Sequence, residues 1–219
     1  MSLASLLEIV LPPSCAGCGR YGAHLCRPCA GRLRPVLDPD ALFLASDAAS
    51  LGGTEVELVV AAFRHDDVAR RCLQRLKYGG VARLAQHLAS EAMPAFDRLL
   101  AVSGPATLVP VPVHVTRERE RGYNQALLLA RALGAEGRLP VADLLIRPRA
   151  TVRQHGLDRS ARLANLRSAF AMRAAGPLPT RVIVVDDILT SGATLEACAS
   201  VLRTAGVGLV YGFAVAREV

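Results

Sequence analysis

Between Val182 and Thr194 the chain reads VIVVDDILTSGAT, and nearly every position in it suits one chemical task. Val182 to Val185 are four apolar residues in a row, which predicts a short strand buried on both faces, as in a parallel sheet. Asp186 and Asp187 follow at its C-terminal end, where open α/β sheets bind their ligands. Thr190, Ser191, Gly192, Ala193 and Thr194 then form a small, hydroxyl-rich loop opening a helix that carries Leu195, Cys198, Leu202 and Ala205 and stops at Gly206. Free N–H groups at a helix start attract anions, and serine and threonine hydroxyls add donors. Paired carboxylates beside such a loop suit a sugar phosphate, with hydroxyls at the acids and phosphate in the loop. An Asp-Asp pair after a strand can also simply start a turn, a reading that thirteen consecutive fitting positions disfavour.

A second cluster lies near the start of the chain: Cys15, Cys18, Cys26 and Cys29, spaced C-x2-C-x7-C-x2-C. Two such knuckles bring two thiolate pairs onto one tetrahedral Zn²⁺, and Gly17, Gly19 and Gly22 supply the turns. The opening segment has no basic flank and contains Glu8, so it does not read as a secretory signal. Disulfides and free thiols are therefore the weaker readings, and the expected compartment is the cytoplasm. His24 is a spare donor, but four thiolates already close a structural site, and it is expected to be an exposed loop residue. Cys72 and Cys198 sit among apolar helix positions and are expected in the core.

Charge narrows the partners. The net charge is +7, and residues 111–173 hold twelve arginines against five acids, so this segment carries the whole excess. Such a patch favours a polyanion, either pyrophosphate or a nucleic-acid backbone, although a solvated arginine-rich surface has the same composition. Four tyrosines, five phenylalanines and no tryptophan leave no evident wide platform for stacking single-stranded bases. No apolar run approaches the ~20 residues of a membrane-spanning helix. Lys77, in KYGG, is the only lysine beside twenty-five arginines, which hints at a phosphate contact, although chance retention at a helix C-terminus explains it equally well.

The elements that must position these residues alternate along the chain. A helix is predicted over 1–12, a cysteine-rich module to residue 37, and a linker over 38–55. Strands are predicted over 56–63, 107–113, 144–147, 181–186 and 208–217. Helices are predicted over 66–77, 82–100, 122–133 (closed by Gly134) and 158–167. Such alternation predicts a mostly parallel sheet flanked by helices.

The segment 182–194 resembles the phosphoribosyl pyrophosphate (PRPP) motif of type I phosphoribosyltransferases. The resemblance implies that Asp186 and Asp187 hold the ribose hydroxyls and that Thr190 to Thr194 wrap the 5′-phosphate. It also implies that the VPVPVHVTRERERGYNQA stretch, with Arg117, Arg119 and Arg121, binds the pyrophosphate leaving group. Arg121 would then stabilise charge during catalysis, with Lys77 as a further PRPP contact and Mg²⁺ bridging ribose and pyrophosphate. A mobile loop would close over PRPP from Arg149 to Phe170, with Thr151, Gln154, His155, Arg162 and Asn165 in it.

The whole order of motifs is similar to the ComF family, which is linked to bacterial competence. The motifs are the two knuckles, LKYGG at Leu76 to Gly80, VPVP followed by RGYNQA, the stretch entered from Pro148, Ala169-Phe170 and VVDDILTSGAT. The resemblance implies a zinc-ribbon module at 1–37 and a phosphoribosyltransferase-like domain at 56–219. It implies a PRPP-binding protein serving DNA uptake, with an acceptor base that the sequence does not name. An alternative is a module that handles single-stranded DNA, or docks on replication or recombination proteins, without catalysing transfer.

Overall fold

The computed structural model describes residues 12–36, 42–44, 55–148, 169–173 and 176–218. Seven strands appear among them: β1 (Leu42–Leu44), β2 (Leu58–Arg64), β3 (Thr107–Pro110), β4 (Leu145–Ile146), β5 (Ala171–Met172), β6 (Arg181–Leu189) and β7 (Leu209–Arg217). The helices are α1 (Arg27–Ala30), α2 (Asp67–Tyr78), α3 (Leu84–Ser103), α4 (Val115–Arg121), α5 (Gln125–Gly137) and α6 (Ala193–Thr204). The main sheet runs β1-β2-β7-β6-β3. The last four of these strands are parallel, and β1 adds an antiparallel edge. β4 and β5 form a separate antiparallel pair. The expected α/β architecture, a parallel sheet flanked by helices, is what the chain adopts.

Side-chain alternation assigns the two faces. Ile183, Val185, Phe213 and Val215 pack with Leu73, Leu88, Phe96 and Leu129 of α2, α3 and α5. Val182, Val184, Val210 and Ala214 pack with Leu195, Cys198 and Leu202 of α6. Phe96 and Phe213 meet edge to face, with centroids 5.0 Å apart, a favoured aromatic geometry. Cys72 and Cys198 are fully buried, as expected, and burial pushes both thiols up, Cys72 to about 12. The cysteine module is no separate bead. Cys15, Leu25, Cys29 and Leu33 belong to the same apolar cluster as α2 and α3.

Several element boundaries differ from the sequence reading. The expected linker contributes β1, which pairs by backbone with Leu58 to Val60. β3 stops at Pro110, before the expected end, because proline interrupts the ladder. β6 runs three residues past Asp186, since β7 still offers partners at Ala216 and Arg217. The two acids therefore lie within the strand and not beyond it. The helix expected over 122–133 is α5, and a further short helix that the sequence reading does not place precedes it. The arginine-rich stretch forms α4, which ends at Gly122 in the left-handed region (φ +81°), and α5 starts after the cap residue Asn124. Gly134 does not stop α5. A Cβ there would sit 2.8 Å from Val141 Cγ2 and 2.9 Å from Leu139 O, so the glycine admits the returning chain against the helix. The helices expected over 1–12 and 158–167 fall outside the described residues, apart from Pro12.

Asn124 ties this junction together. Its Oδ1 accepts from the N–H groups of Ala126 and Leu127, and its Nδ2 donates to the Val111 carbonyl, all at a buried position. Asn124→Ala is expected to cost about 1–3 kcal/mol in urea unfolding, from a lost cap plus an unpaired carbonyl. A variant within 0.3 kcal/mol or so of the parent would show that neither bond matters.

Candidate functional site

The alternation along β6 decides where its acids point. Asp186 follows Val182 and Val184 towards α6, and Asp187 follows Ile183 and Val185 towards α2. Asp187 is buried, and its Oδ2 is met by Nζ of Lys77 from the last turn of α2. Asp186 is half-buried, and its Oδ1 accepts from the Asp187 N–H at 2.8 Å. Its charge is felt by Cys198 and by Arg147, which follows β4. Burial, then the neighbouring Asp187 charge, push the Asp186 carboxyl up to about 8.

That shift has a sign in stability. The native chain keeps a proton on Asp186 that the unfolded chain releases near pH 4, so stability falls as pH rises from about 4 to about 8. Asp186→Asn, neutral throughout, is expected to flatten this slope and to gain about 0.5–2 kcal/mol at pH 8 over the parent. Urea midpoints at pH 5 and pH 8, without divalent ions, measure it. An unchanged slope would mean that Asp186 titrates normally.

The hydroxyl loop continues from β6 into α6. Thr190 and Ser191 are exposed, Gly192 takes the left-handed conformation (φ +79°), and Ala193 opens the helix. Gly192, at the N-cap, gives no side-chain cap to the first N–H groups of α6. Arg117 and Arg121 lie one turn apart on α4. Arg117 is close enough to Arg147 to depress its pKa, an effect second to burial. Arg121 donates to Gln125 Oε1 at 2.8 Å and lies over the Tyr78 ring, 5.0 Å from its centroid.

The parallel strands thus bring Asp186, Asp187, Lys77 and the 190–194 loop to one end of the sheet. Arg117 reaches the group through Arg147, and Arg121 through Tyr78, the neighbour of Lys77. Arg147 and Tyr78 were not singled out from sequence. An arginine at the end of a short strand was the signal for the first, and the aromatic inside KYGG for the second. Thr151, Gln154, His155, Arg162 and Asn165 lie outside the described residues.

The sulfurs of Cys15, Cys18, Cys26 and Cys29 all lie within 4.8 Å of one another. Cys15 Sγ is 3.5 Å from Cys26 Sγ, and Cys18 Sγ is 3.7 Å from it. A tetrahedron with Zn–S bonds of about 2.3 Å spaces its sulfurs about 3.8 Å apart, so the donor set fits zinc. Burial would raise the Cys15 thiol, but N–H donors of Cys26, Cys18 and Gly17 outweigh it and lower it to about 6, favouring the thiolate a metal needs. Burial, then hydrogen bonding to Cys26, raise Cys29. An added Cβ at Gly17 would come within 2.7 Å of Cys29 Sγ, so glycine lets the knuckles close. His24 is not the exposed loop residue expected. It is half-buried, with its ring 5.9 Å from that of His87 on α3, because the module packs against that helix. No helix among the described residues is long and apolar enough to cross a membrane.

No protein-family model matches the chain. It is 35% identical to "Competence protein F" of Haemophilus influenzae over 116 residues, covering 52% of this chain and 51% of that protein. It is 28% identical to "Competence protein ComFC" of Bacillus subtilis over 146 residues, 67% of this chain and 58% of that protein. It is 32% identical to "DNA utilization protein YhgH" of Salmonella typhimurium over 140 residues, 62% of this chain and 60% of that protein. The chain thus spans about half to three fifths of the length of these curated relatives.

Proposed function

The chain belongs to the ComF family, and from that membership and its site we propose that it binds PRPP with Mg²⁺ and serves the handling of DNA taken up by the cell. The relatives' names, competence and DNA utilization, support the second half of this reading. One observation supports the first: an acid pair on β6 runs directly into a hydroxyl loop at an uncapped helix start. The N–H groups of residues 192–194 and the hydroxyls of Thr190, Ser191 and Thr194 take the 5′-phosphate. Asp186 and Asp187 accept from the ribose hydroxyls. Arg117 and Arg121 supply forked donors for the pyrophosphate.

Mg²⁺ brought with PRPP, with Asp186 and Asp187 as the nearby carboxylates, would supply charge neutralisation at the leaving group. In transfer, the bond from the anomeric carbon to pyrophosphate breaks and one to an acceptor nitrogen forms. The nitrogen's proton passes to solvent, and the arginines hold the charge that departs. Proton release is eased where Asp186 is already ionised, so PRPP affinity is expected to rise from pH 6 to pH 8. Calorimetry with PRPP and Mg²⁺, alongside pyrophosphate release against a panel of bases, tests the reading. Asp187→Asn is expected to weaken PRPP at least tenfold, through the loss of a charged acceptor. Equal affinity would remove Asp187 from the ribose site.

A second reading, single-stranded DNA handling without transfer, is favoured by the arginine excess of residues 111–173. Its affinity would fall with salt by a slope of about −0.7 per neutralised phosphate. Replacing Arg153, Arg159 and Arg167 with alanine would flatten the slope by about two units. Pyrophosphate release with one base and a flat salt response would favour the transferase alone.

A further inference from the structure

A groove of about 710 Å³ lies between the first cysteine knuckle and α2. One wall is the Ser14–Gly19 loop, and the other is the α2 face carrying Arg71, Gln74, Arg75 and Tyr78. Its size is that of a small-ligand site. No carboxylate lines it among the described residues. Arg75 donates to Ser14 Oγ at 2.6 Å and so joins the walls. Arg71 gives Nη2 to Asp67, while its Nε is buried without a hydrogen-bond partner among the described residues.

Tyr78 closes the groove with 75% of its surface exposed, which few large apolar side chains here share. The Arg121 guanidinium lies over the ring on one side, and its Nη2 is 3.3 Å from the phenol oxygen. Tyr78 also adjoins Lys77, the side chain that meets Asp187. Tyr78 thus stands at the C-terminal end of α2, next in the chain to the residue that meets Asp187. An exposed ring with a cation on one face, and arginines one and two turns further along the same helix, is a base-and-phosphate pattern.

We propose that this groove binds a nucleotide unit, its base stacked on Tyr78 and its phosphate held by Arg75. At 1.5 Å rise per residue, Arg75 and Arg71 lie about 4.5 and 10.5 Å along the helix axis from Tyr78. Arg75 thus meets the phosphate of the stacked nucleotide, and Arg71 meets the next phosphate when the unit belongs to a strand. Where PRPP binds as well, a nucleotide held at this end of α2 would be a candidate acceptor, and in that respect alone the inference rests on the PRPP reading.

The test uses the full zinc-loaded chain with two probes, free dTMP and a 5′-labelled thymidine hexanucleotide. Tyr78→Ala is expected to weaken both about tenfold, and Tyr78→Phe to restore both, because stacking needs the ring and not the hydroxyl. Arg71→Gln is expected to weaken only the hexanucleotide and to reduce its salt slope by about 0.7. An Arg71→Gln variant that leaves the hexanucleotide unaffected, while Tyr78→Ala weakens dTMP, would assign the groove to free nucleotides. Variants that bind both probes like the parent, or a parent that binds neither at millimolar concentration, would overturn the inference. PRPP titrated into the same parent keeps the two readings apart. Nucleotide binding without PRPP binding upholds the groove and removes the transferase, and PRPP binding without nucleotide binding removes the groove.

Discussion

Cys26→Ser is expected to release the metal and to lower stability by at least about 3 kcal/mol, one of the two largest losses expected from any single change here. The apparent binding energy of structural zinc reaches about 10–16 kcal/mol in isolated zinc peptides, where it is the folding energy. This module shares its apolar cluster with α2 and α3, so packing retains part of its shape without metal. The loss spreads for the same reason. Cys15 and Cys29 are buried, and Cys26 Sγ approaches both Cys15 and Cys18. Freed thiolates at buried positions must take up protons or reach water. His24 offers no replacement ligand where it stands, since its Nε2 is buried and its ring faces His87. Elemental analysis should find about one zinc per parent chain and almost none in the variant, with a lower melting temperature. A variant that keeps full zinc and parent stability would show that Cys26 is not a ligand.

The layer order was legible because each buried strand carries its own pattern. Val182 to Val185 and Leu58 to Phe63 are apolar on both faces, which only a sheet covered on both sides satisfies. The knuckles were legible because their geometry is local: Cys26 lies eleven positions after Cys15, and turn glycines lie between. Ladder length was not. The apolar run ends at Val185, yet β6 continues to Leu189 because the distant β7 supplies the partners. Gly134 misled for a related reason, as the residue that requires it, Val141, returns from outside the helix. Arg147 and Tyr78 were missed because their neighbours are far apart in sequence, forty-three residues in the case of Tyr78 and Arg121. His24 followed the same rule, since only the packing of the module on α3 buries it. Local chemistry was readable, and contacts set by tertiary docking were not.

Lys77→Met should cost about 2–4 kcal/mol in urea unfolding, a large effect for a residue near the end of a helix. The side chains of Lys77 and Asp187 keep only 19% and 6% of their exposure. Removing the ammonium leaves a buried carboxylate without its counter-charge, and breaking such pairs typically costs about 3–5 kcal/mol. The expected value is lower because Lys77 keeps some contact with water, which screens the pair. Removing both charges is a different matter. Lys77→Met with Asp187→Asn leaves no buried charge to compensate and should recover most of the loss, since a buried ion pair can be replaced at little net cost. Asp187→Asn alone should cost less than Lys77→Met, because an ammonium on a flexible stem at the end of α2 can swing into water. The ordering of the three variants is therefore the result to measure. If Lys77→Met were as stable as the parent, Asp187 would not depend on the lysine for its charge. If the double variant were the weakest of the three, the pair would be worth more than its desolvation, and the single lysine would be a structural fixture of the site.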